Sequence, residues 1–174
     1  MALPLLHALP DVLILRDPRE ARRKCSLTPL RGLPGFRFVA YRRGRRVDAR
    51  GRVLLHPDGD ELSERDRGKA VLLVDCTWRH LPELLASVDG EPARRRLPAL
   101  ATAYPRASKL GVDPAGGLAS IEALYAALVY LGGEAFDLRS TYRWADEFLA
   151  RNPSLAGSLA RAVGGRAAVR GEQT

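Results

Sequence analysis

Cysteine and lysine are both scarce in this chain of 174 residues, which has only two of the first and three of the second. Cys25 and Cys76 are too few and too far apart for a Cys-x-x-Cys metal site or a disulfide framework, which favours a reducing compartment. The apolar start, M-A-L-P-L-L-H-A-L-P, lacks a basic segment and is interrupted by prolines, so it is a poor signal peptide. No run approaches the roughly 20 apolar residues of a membrane span. We therefore expect a cytoplasmic protein with no metal and no membrane partner.

The positive charge is carried almost entirely by arginine. The chain has 28 Lys plus Arg against 20 Asp plus Glu, a net charge of +8. Planar guanidinium groups suit phosphate, which favours a nucleic-acid partner over a merely soluble basic surface, although an Arg-rich chain is also typical of a GC-rich genome. Three clusters are candidate RNA-binding groups, with solvated turns as the alternative for each: Arg22, Arg23 and Lys24; Arg42 and Arg43, followed by Arg45 and Arg46; and Arg94, Arg95 and Arg96.

Residues 70–78, A-V-L-L-V-D-C-T-W, are the most informative segment. The uninterrupted apolar run is typical of a strand buried on both faces. Open α/β sheets bind ligands outside the carboxyl ends of their strands, which makes Asp75 and Trp78 candidates for chemistry. The alternative is that Asp75 caps the next helix and Trp78 is part of the core.

Strand-like and helix-like segments alternate along the chain, which predicts an α/β domain with a partly parallel sheet. We expect one domain over residues 1–164 and a mobile tail over 165–174. The patterns predict strands at 11–16, 36–43, 52–56 and 70–75, a turn at 57–60, a short helix from 62, helices at 80–88 and 118–131, an extended segment at 97–100 and a last helical region from 141.

An ordered set of motifs resembles the small-subunit ribosomal RNA aminocarboxypropyltransferase family. The motifs are D-P followed by K-C-S, L-x-P at 55–57, D-C-T-W at 75–78, L-P-A-L at 97–100, L-A-S-I-E-A-L at 118–124 and the closing Y-R-W-A-D-E-F-L-A-R-N. No single motif is diagnostic, but the shared order is fairly specific and covers roughly residues 12–153.

The resemblance implies a fold similar to the knotted, SPOUT-like RNA methyltransferases. A C-terminal trefoil knot would then lie around the cofactor site, an exception to the general absence of knots. The implied reaction transfers the 3-amino-3-carboxypropyl group of S-adenosylmethionine to a ring nitrogen of a modified uridine and leaves 5′-methylthioadenosine. Ribosomal RNA or a pre-ribosomal particle is the implied partner. The oligomeric state is left open and is compatible with a monomer.

The resemblance also assigns cofactor-binding residues. Leu55, Pro57, Leu97, Leu118 and Ala123 would form an apolar slot for adenine, although each such residue is more commonly simple core. Backbone groups near Val74 would bind the ribose hydroxyls. Ser26 and Ser120 would hold the methionyl carboxylate and amine, and a plain helix N-cap role for Ser120 is compatible with that.

Two residues would decide the chemistry. Trp78 has a π-face that attracts a sulfonium cation and bulk that would cover its methyl group, which leaves the γ-carbon open to the RNA. Asp75 is the nearest candidate base. An unperturbed aspartate titrates near about 3.9 and is a weak base, so Asp75 would need partial burial, or it orients the cofactor or balances its charge instead.

One departure from the family leaves the RNA substrate open. The family loop after L-P-x-L reads A-N-P-V-N-Y-G, whereas residues 101–117 read A-T-A-Y-P-R-A-S-K-L-G-V-D-P-A-G-G. This segment is similar to the DTW-domain tRNA aminocarboxypropyltransferases, whose additional cysteines the chain lacks. Three hypotheses follow: an aminocarboxypropyltransferase acting on ribosomal RNA or tRNA, an RNA methyltransferase of similar fold, and a non-catalytic RNA-binding assembly factor.

Overall fold

The fold is described from a computed structural model over residues 10–21, 25–105, 117–132 and 135–155. Its strands are β1 (Val12–Arg16), β2 (Phe36–Ala40), β3 (Val47–Asp48), β4 (Arg52–Glu61), β5 (Ala70–Asp75), β6 (Val88–Asp89) and β7 (Ala93–Arg96). Its α-helices are α1 (Leu81–Leu85), α2 (Ser120–Tyr130), α3 (Leu138–Thr141) and α4 (Ala145–Arg151), and short 3₁₀ helices span Thr28–Leu30, Glu64–Asp66 and Trp78–His80. None of the helices in these ranges is long and apolar enough to cross a membrane.

Five strands form the central sheet in the order β2-β1-β5-β4-β7, and every pairing is parallel. Among the three inner strands, β1 and β5 are the most apolar, as expected for strands covered on both faces. β3 and β6 form a separate parallel pair. Because the strands run in one direction, their carboxyl ends share one edge of the sheet, where ligands of open α/β sheets bind. The predicted α/β class is confirmed.

A hydrophobic core lies on each face of the sheet. On one face, Val12, Ile14, Val71 and Leu73 pack against α2 and the segments around α3 and α4. On the other face, side chains from β1, β4 and β5 pack against α1, β3 and β6: Leu13, Leu15, Leu54 and Leu72 against Leu84, Val47 and Val88. Each fully buried leucine contributes about 1.5–3 kcal/mol relative to exposure. Because side chains alternate between the two faces of a strand, successive residues of β1 and β5 belong to different cores.

The predicted turn at 57–60 is wrong, because β4 continues through it to Glu61. β4 pairs with β7 on both sides of an irregularity: Leu55 and Asp60 both have Arg95 as their register partner. The extra residues bulge out of the ladder, where a proline need not donate a hydrogen bond. Glycine is required at Gly59, since a Cβ there would lie 2.5 Å from the Arg94 carbonyl carbon.

Other element boundaries also differ from the predictions. The expected strand at 36–43 ends at Ala40, and the expected helix at 80–88 is a 3₁₀ turn followed by α1, which ends at Leu85. The last helical region consists of α3 and α4. β7 is missing from the sequence prediction because A-R-R-R has no apolar alternation. The predicted tail at 165–174 lies outside the described residues, as does 106–116, the segment that a knot between residue 97 and α2 would involve.

Asp66 fixes the edge strand β7 to the turn before β5. Its fully buried carboxylate accepts from Arg95 Nε and Lys69 Nζ, each at 2.9 Å, and from the Ser63 backbone N–H at 3.2 Å. Burial alone would raise the pKa of Asp66, but the hydrogen bonds from Arg95 and Lys69 outweigh it and hold that pKa far below its usual range. The ionised carboxylate is therefore part of the folded structure.

Replacing Asp66 by Asn should lower the free energy of unfolding at pH 7 by roughly 1–3 kcal/mol, because Arg95 and Lys69 lose a buried anion and one of its two acceptor oxygens becomes an NH₂ donor. Since the folded-state pKa lies below the unfolded value of about 3.9, this contribution is present above that pH and is lost as the pH falls toward the folded pKa. Urea unfolding at pH 7 and pH 3 measures both effects. Asp60→Asn is the control, because that exposed carboxylate lies 3.8 Å from Arg95; equal losses in the two variants would contradict the assignment.

Candidate active site

A cavity of about 840 Å³ opens at the carboxyl-end edge of the sheet. Its walls come from β4, β5 and the turn after it, the segment after β7 and the first turn of α2. All ten residues predicted for cofactor binding and catalysis line it: Ser26, Leu55, Pro57, Val74, Asp75, Trp78, Leu97, Leu118, Ser120 and Ala123. The fold thus brings together residues up to 97 positions apart in the chain. Their individual roles stay predictions.

One side of the cavity is apolar. Leu55 and Pro57 come from β4, Leu97 follows β7, and Leu118 and Ala123 come from the approach to α2 and its first turns. Ala123 is the least buried residue within 121–129, since the rest of this stretch faces the core. A slot between two strands and a helix, lined by aliphatic groups, suits a flat aromatic ring. Because these five residues have apolar side chains, the polar groups of a ligand would be bound on the opposite side of the cavity.

Asp75 lies at the polar side of the cavity and connects three elements. Its Oδ1 accepts from Ser120 Oγ and its Oδ2 from Cys25 Sγ, both at 3.0 Å. Arg16 Nε lies 3.8 Å from Oδ2. The alternative role for Asp75 as cap of the following helix is wrong, because its side chain bonds to α2 and to the Cys25 segment and the 3₁₀ turn has Thr77 as its N-cap. The carboxylate is a half-buried acceptor held in one orientation.

The N-terminus of α2 is built differently from the prediction. The N-cap is Ala119, and Ser120 is the first helical residue, so the plain N-cap role for Ser120 is wrong. Ser26 supplies a cap from 95 residues away, since its Oγ accepts from the Ile121 backbone N–H at 3.2 Å. The two serines therefore lie side by side at the positive end of an eleven-residue helix. This end of the cavity is suited to a carboxylate.

Trp78 projects from the turn after β5 and is 41 % exposed, which excludes the alternative that it is ordinary core. Contacts from the D-P-R-E segment at 17–20 hold this turn at Thr77 and His80, on either side of Trp78. Glu20 Oε1 accepts from the Thr77 backbone N–H at 3.2 Å, and His80 Nδ1 lies 2.8 Å from Asp17 Oδ2. An exposed indole on a fixed turn at a cavity wall is suited to contact a ligand.

Asp17, Glu20 and His80 are also a group that could hold a metal ion, since their ligand atoms lie within 4.8 Å of one another. Each is already engaged: Asp17 also accepts from Arg19 at 2.8 Å, while Glu20 bonds to the Thr77 backbone. Burial alone would raise the pKa of Asp17, but hydrogen bonds from Arg19 and His80 lower it. These residues are better explained as the clamp on the Trp78 turn.

Two buried polar residues that sequence reasoning missed position the segment after residue 100. Glu122, fully buried in α2, accepts from Thr102 Oγ1 at 2.7 Å and from the Ala103 backbone N–H at 2.8 Å. Its carboxylate also accepts from Tyr142 Oη at 2.9 Å. Asn152 donates to and accepts from the Ala101 backbone, both at 2.8 Å. The sequence signal that could have indicated the role of Glu122 is its place as the lone acid in the apolar sequence of α2.

The three predicted RNA-binding clusters differ in their exposure and in their ion pairs. Arg22, Arg23 and Lys24 lie outside the described residues. Arg42, Arg43 and Arg94 are exposed and, within the described part of the chain, form no ion pair. Arg95 is engaged with buried Asp66, and Arg96 Nη2 lies 3.3 Å from Glu61 Oε2, yet both line the cavity. Arg95 is therefore first a structural residue, whereas Arg42, Arg43 and Arg94 have guanidinium groups available to a phosphate.

The geometry agrees with comparisons to known proteins. A sequence model of the family described as "Ribosome biogenesis protein, C-terminal" matches residues 48–164. The chain belongs to this family. It is 33% identical over 109 residues to the 16S rRNA aminocarboxypropyltransferase of Methanopyrus kandleri, a match that covers 59% of the chain and 62% of that relative's length.

The fold also matches a solved structure, that of the SAM-dependent rRNA:acp-transferase Tsr3 from Vulcanisaeta distributa. The TM-score is 0.66 at 27% identity, over 90% of this chain and 85% of that one. These findings confirm the resemblance to the ribosomal RNA aminocarboxypropyltransferase family. The family match contains β4, β5 and α2, and with them most of the cavity wall.

The two cavity cysteines should be inert thiols. Burial, followed by the charges of Asp17, Asp75 and Glu20, raises the pKa of Cys76 to about 12. Burial and the hydrogen bond to Asp75 raise the pKa of Cys25 as well. Because only the thiolate is reactive, alkylation of Cys76 by iodoacetamide at pH 8 in a Cys25→Ser variant should be at least about 100-fold slower than in the same protein unfolded in guanidinium. Equal rates in the folded and unfolded protein would contradict the assigned environment.

Proposed function

We propose that this protein transfers the 3-amino-3-carboxypropyl group of S-adenosylmethionine to a ring nitrogen of a uridine, or modified uridine, in small-subunit ribosomal RNA. The observation that carries the proposal is the convergence of an apolar slot, an exposed tryptophan and a paired-serine helix N-terminus in one cavity. The relatives named as ribosomal RNA aminocarboxypropyltransferases support the same reaction. The knotted connection, the cytoplasmic location, the monomeric state and the absence of a metal remain predictions.

The cavity suits this cofactor in size and in chemistry. Its volume of about 840 Å³ lies in the roughly 300–1,000 Å³ range of small-molecule sites. The aliphatic slot around Leu55 and Leu118 would take adenine, backbone groups near Val74 the ribose, and the serines at the start of α2 the methionyl carboxylate and amine. When bound, S-adenosylmethionine supplies an electrophilic carbon beside a sulfonium centre. Substitution at the γ-carbon breaks its bond to sulfur and leaves neutral 5′-methylthioadenosine, while the ring nitrogen loses a proton.

The residues around the sulfonium position would select which carbon reacts. Trp78 offers a π-face to a cation and covers the group turned toward it, so it would shield the methyl carbon and leave the γ-carbon accessible to RNA. Asp75 faces the same side, but both of its oxygens already accept hydrogen bonds. This geometry favours Asp75 as an orienting and charge-balancing group over a free base.

Product analysis tests the proposal. The purified protein is incubated with S-adenosylmethionine and small-subunit RNA, and the released nucleoside is analysed by mass spectrometry. The expected product is 5′-methylthioadenosine together with RNA that has gained one aminocarboxypropyl group. S-adenosylhomocysteine would identify a methyltransferase instead. Binding without either product on small-subunit RNA, but with turnover on tRNA, would move the substrate to the tRNA class suggested by residues 101–117.

Trp78→Ala should weaken binding of S-adenosylmethionine about two- to fivefold, because a cation–π contact at an exposed ring is worth about 0.5–1 kcal/mol. Isothermal titration calorimetry measures the effect. Trp144→Phe is the control, since that ring packs edge-on against Tyr104 and Tyr142 and does not line the cavity. Unchanged affinity in Trp78→Ala would remove the indole from the site.

Arg94→Gln should weaken RNA binding and reduce the slope of log K against log salt concentration by about 0.7–0.9, the loss of one phosphate contact. Arg42→Gln and Arg43→Gln should do the same if the β2 end contacts the RNA. Arg50→Gln is the matched control, because Arg50 is exposed but bound to Asp48 at the amino-end edge of the sheet. An unchanged salt slope in all three variants would rule out Arg42, Arg43 and Arg94 as part of the RNA interface.

A further inference from the structure

Arg16 is a charged residue buried beneath the candidate active site. It is the last residue of β1 and only 4 % exposed. In the parallel register it is the direct partner of Asp75, so the two side chains leave the same face of the sheet. That face is the one covered by α2, where Val12, Ile14, Val71 and Leu73 precede the pair. The apolar row on these two strands therefore ends in one buried cation and one acid.

The guanidinium has more donors than partners. Its Nη2 donates to the Glu20 carbonyl at 3.3 Å, whereas Nε and Nη1 are buried and, within the described residues, have no hydrogen-bond partner. Buried polar groups without partners are rare in native proteins and disfavour folding. A buried charge is tolerated when an opposite charge compensates it. The closest carboxylate is Asp75, whose Oδ2 lies 3.8 Å from Nε.

Two hydrogen-bond donors and one buried cation surround the Asp75 carboxylate. Ser120 from α2 and Cys25 from the segment before the first 3₁₀ helix both donate to it. Cys76, the residue directly after β5, is a neutral thiol, and Glu20 also lines the cavity. Among the described groups around Asp75, Arg16 is thus the cation that compensates it.

We propose that Arg16 is a positioning residue that holds Asp75 as an oriented carboxylate and, through the hydrogen bond that Asp75 accepts from Ser120, fixes the start of α2 at the cofactor cavity. The cofactor part rests on the proposed function. Arg16 does not line the cavity, so it acts through Asp75 and not by touching the ligand. Loss of its charge should therefore change cofactor affinity without removing a ligand contact.

Two substitutions and a matched control test this in the full-length protein. Arg16→Gln should weaken S-adenosylmethionine binding at least tenfold by calorimetry, while Arg16→Lys, which keeps the charge, should stay within threefold of the wild type. Arg52→Gln should leave affinity unchanged. Arg52 is a comparable half-buried arginine of the same sheet that bonds to Asp11, at the opposite edge from the cavity.

A double-mutant cycle with Asp75→Asn separates action through Asp75 from a general structural role. In the Asp75→Asn background, Arg16→Gln should cause no further loss of affinity, and it should raise the melting temperature, because Arg16 is then a buried cation without its anion. Additive losses of affinity, or a lower melting temperature in the double variant than in Asp75→Asn, would overturn the proposal. Wild-type protein that binds no S-adenosylmethionine would instead overturn the proposed function, and the melting temperatures of the same four proteins would still decide whether Arg16 and Asp75 act as a pair.

Discussion

The hydrogen bonds of Asp75 are the interaction on which the candidate site depends. β1 and β5 are adjacent strands, but α2 and the Cys25 segment are 45 and 50 residues away from Asp75 in sequence, and its two oxygens join them at the carboxyl edge of the sheet. The apolar residues that precede Arg16 and Asp75 on these strands supply the stability that permits a charged cluster at this depth. Asp75 thus joins β5, α2 and the Cys25 segment at the wall of the cavity.

Buried polar residues outside this cluster position other parts of the cavity wall. Glu122 and Asn152 hold the segment after residue 100 through backbone hydrogen bonds, and the clamp around Asp17 and His80 holds the turn that carries Trp78. These two parts of the cavity wall are thus anchored by polar groups that are buried or half-buried behind them. Such support is what keeps the ligand-facing side chains in one geometry.

The sequence predicts those parts whose stability is local or whose pattern is continuous. The apolar run of β5 matches the structure at both ends, and the motif at 118–124 indicates both α2 and its place in the site. β7 could not be predicted, because A-R-R-R is held as a strand by the β4 backbone and by Asp66, 29 residues from Arg95. The partner of Ser120 and the burial of Arg16 were likewise hidden, since both depend on contacts across distant segments.

The measurement that tests the central claim most directly is the map of backbone amide chemical-shift changes when S-adenosylmethionine is added to the ¹⁵N-labelled protein. The account predicts changes concentrated at residues 74–78, 97–100 and 118–123, which surround the cavity, with residues 47–51 and 88–90 on the far side of the sheet unaffected. Saturable changes centred anywhere else, or none at all, would contradict the claim that this edge of the sheet is the cofactor site.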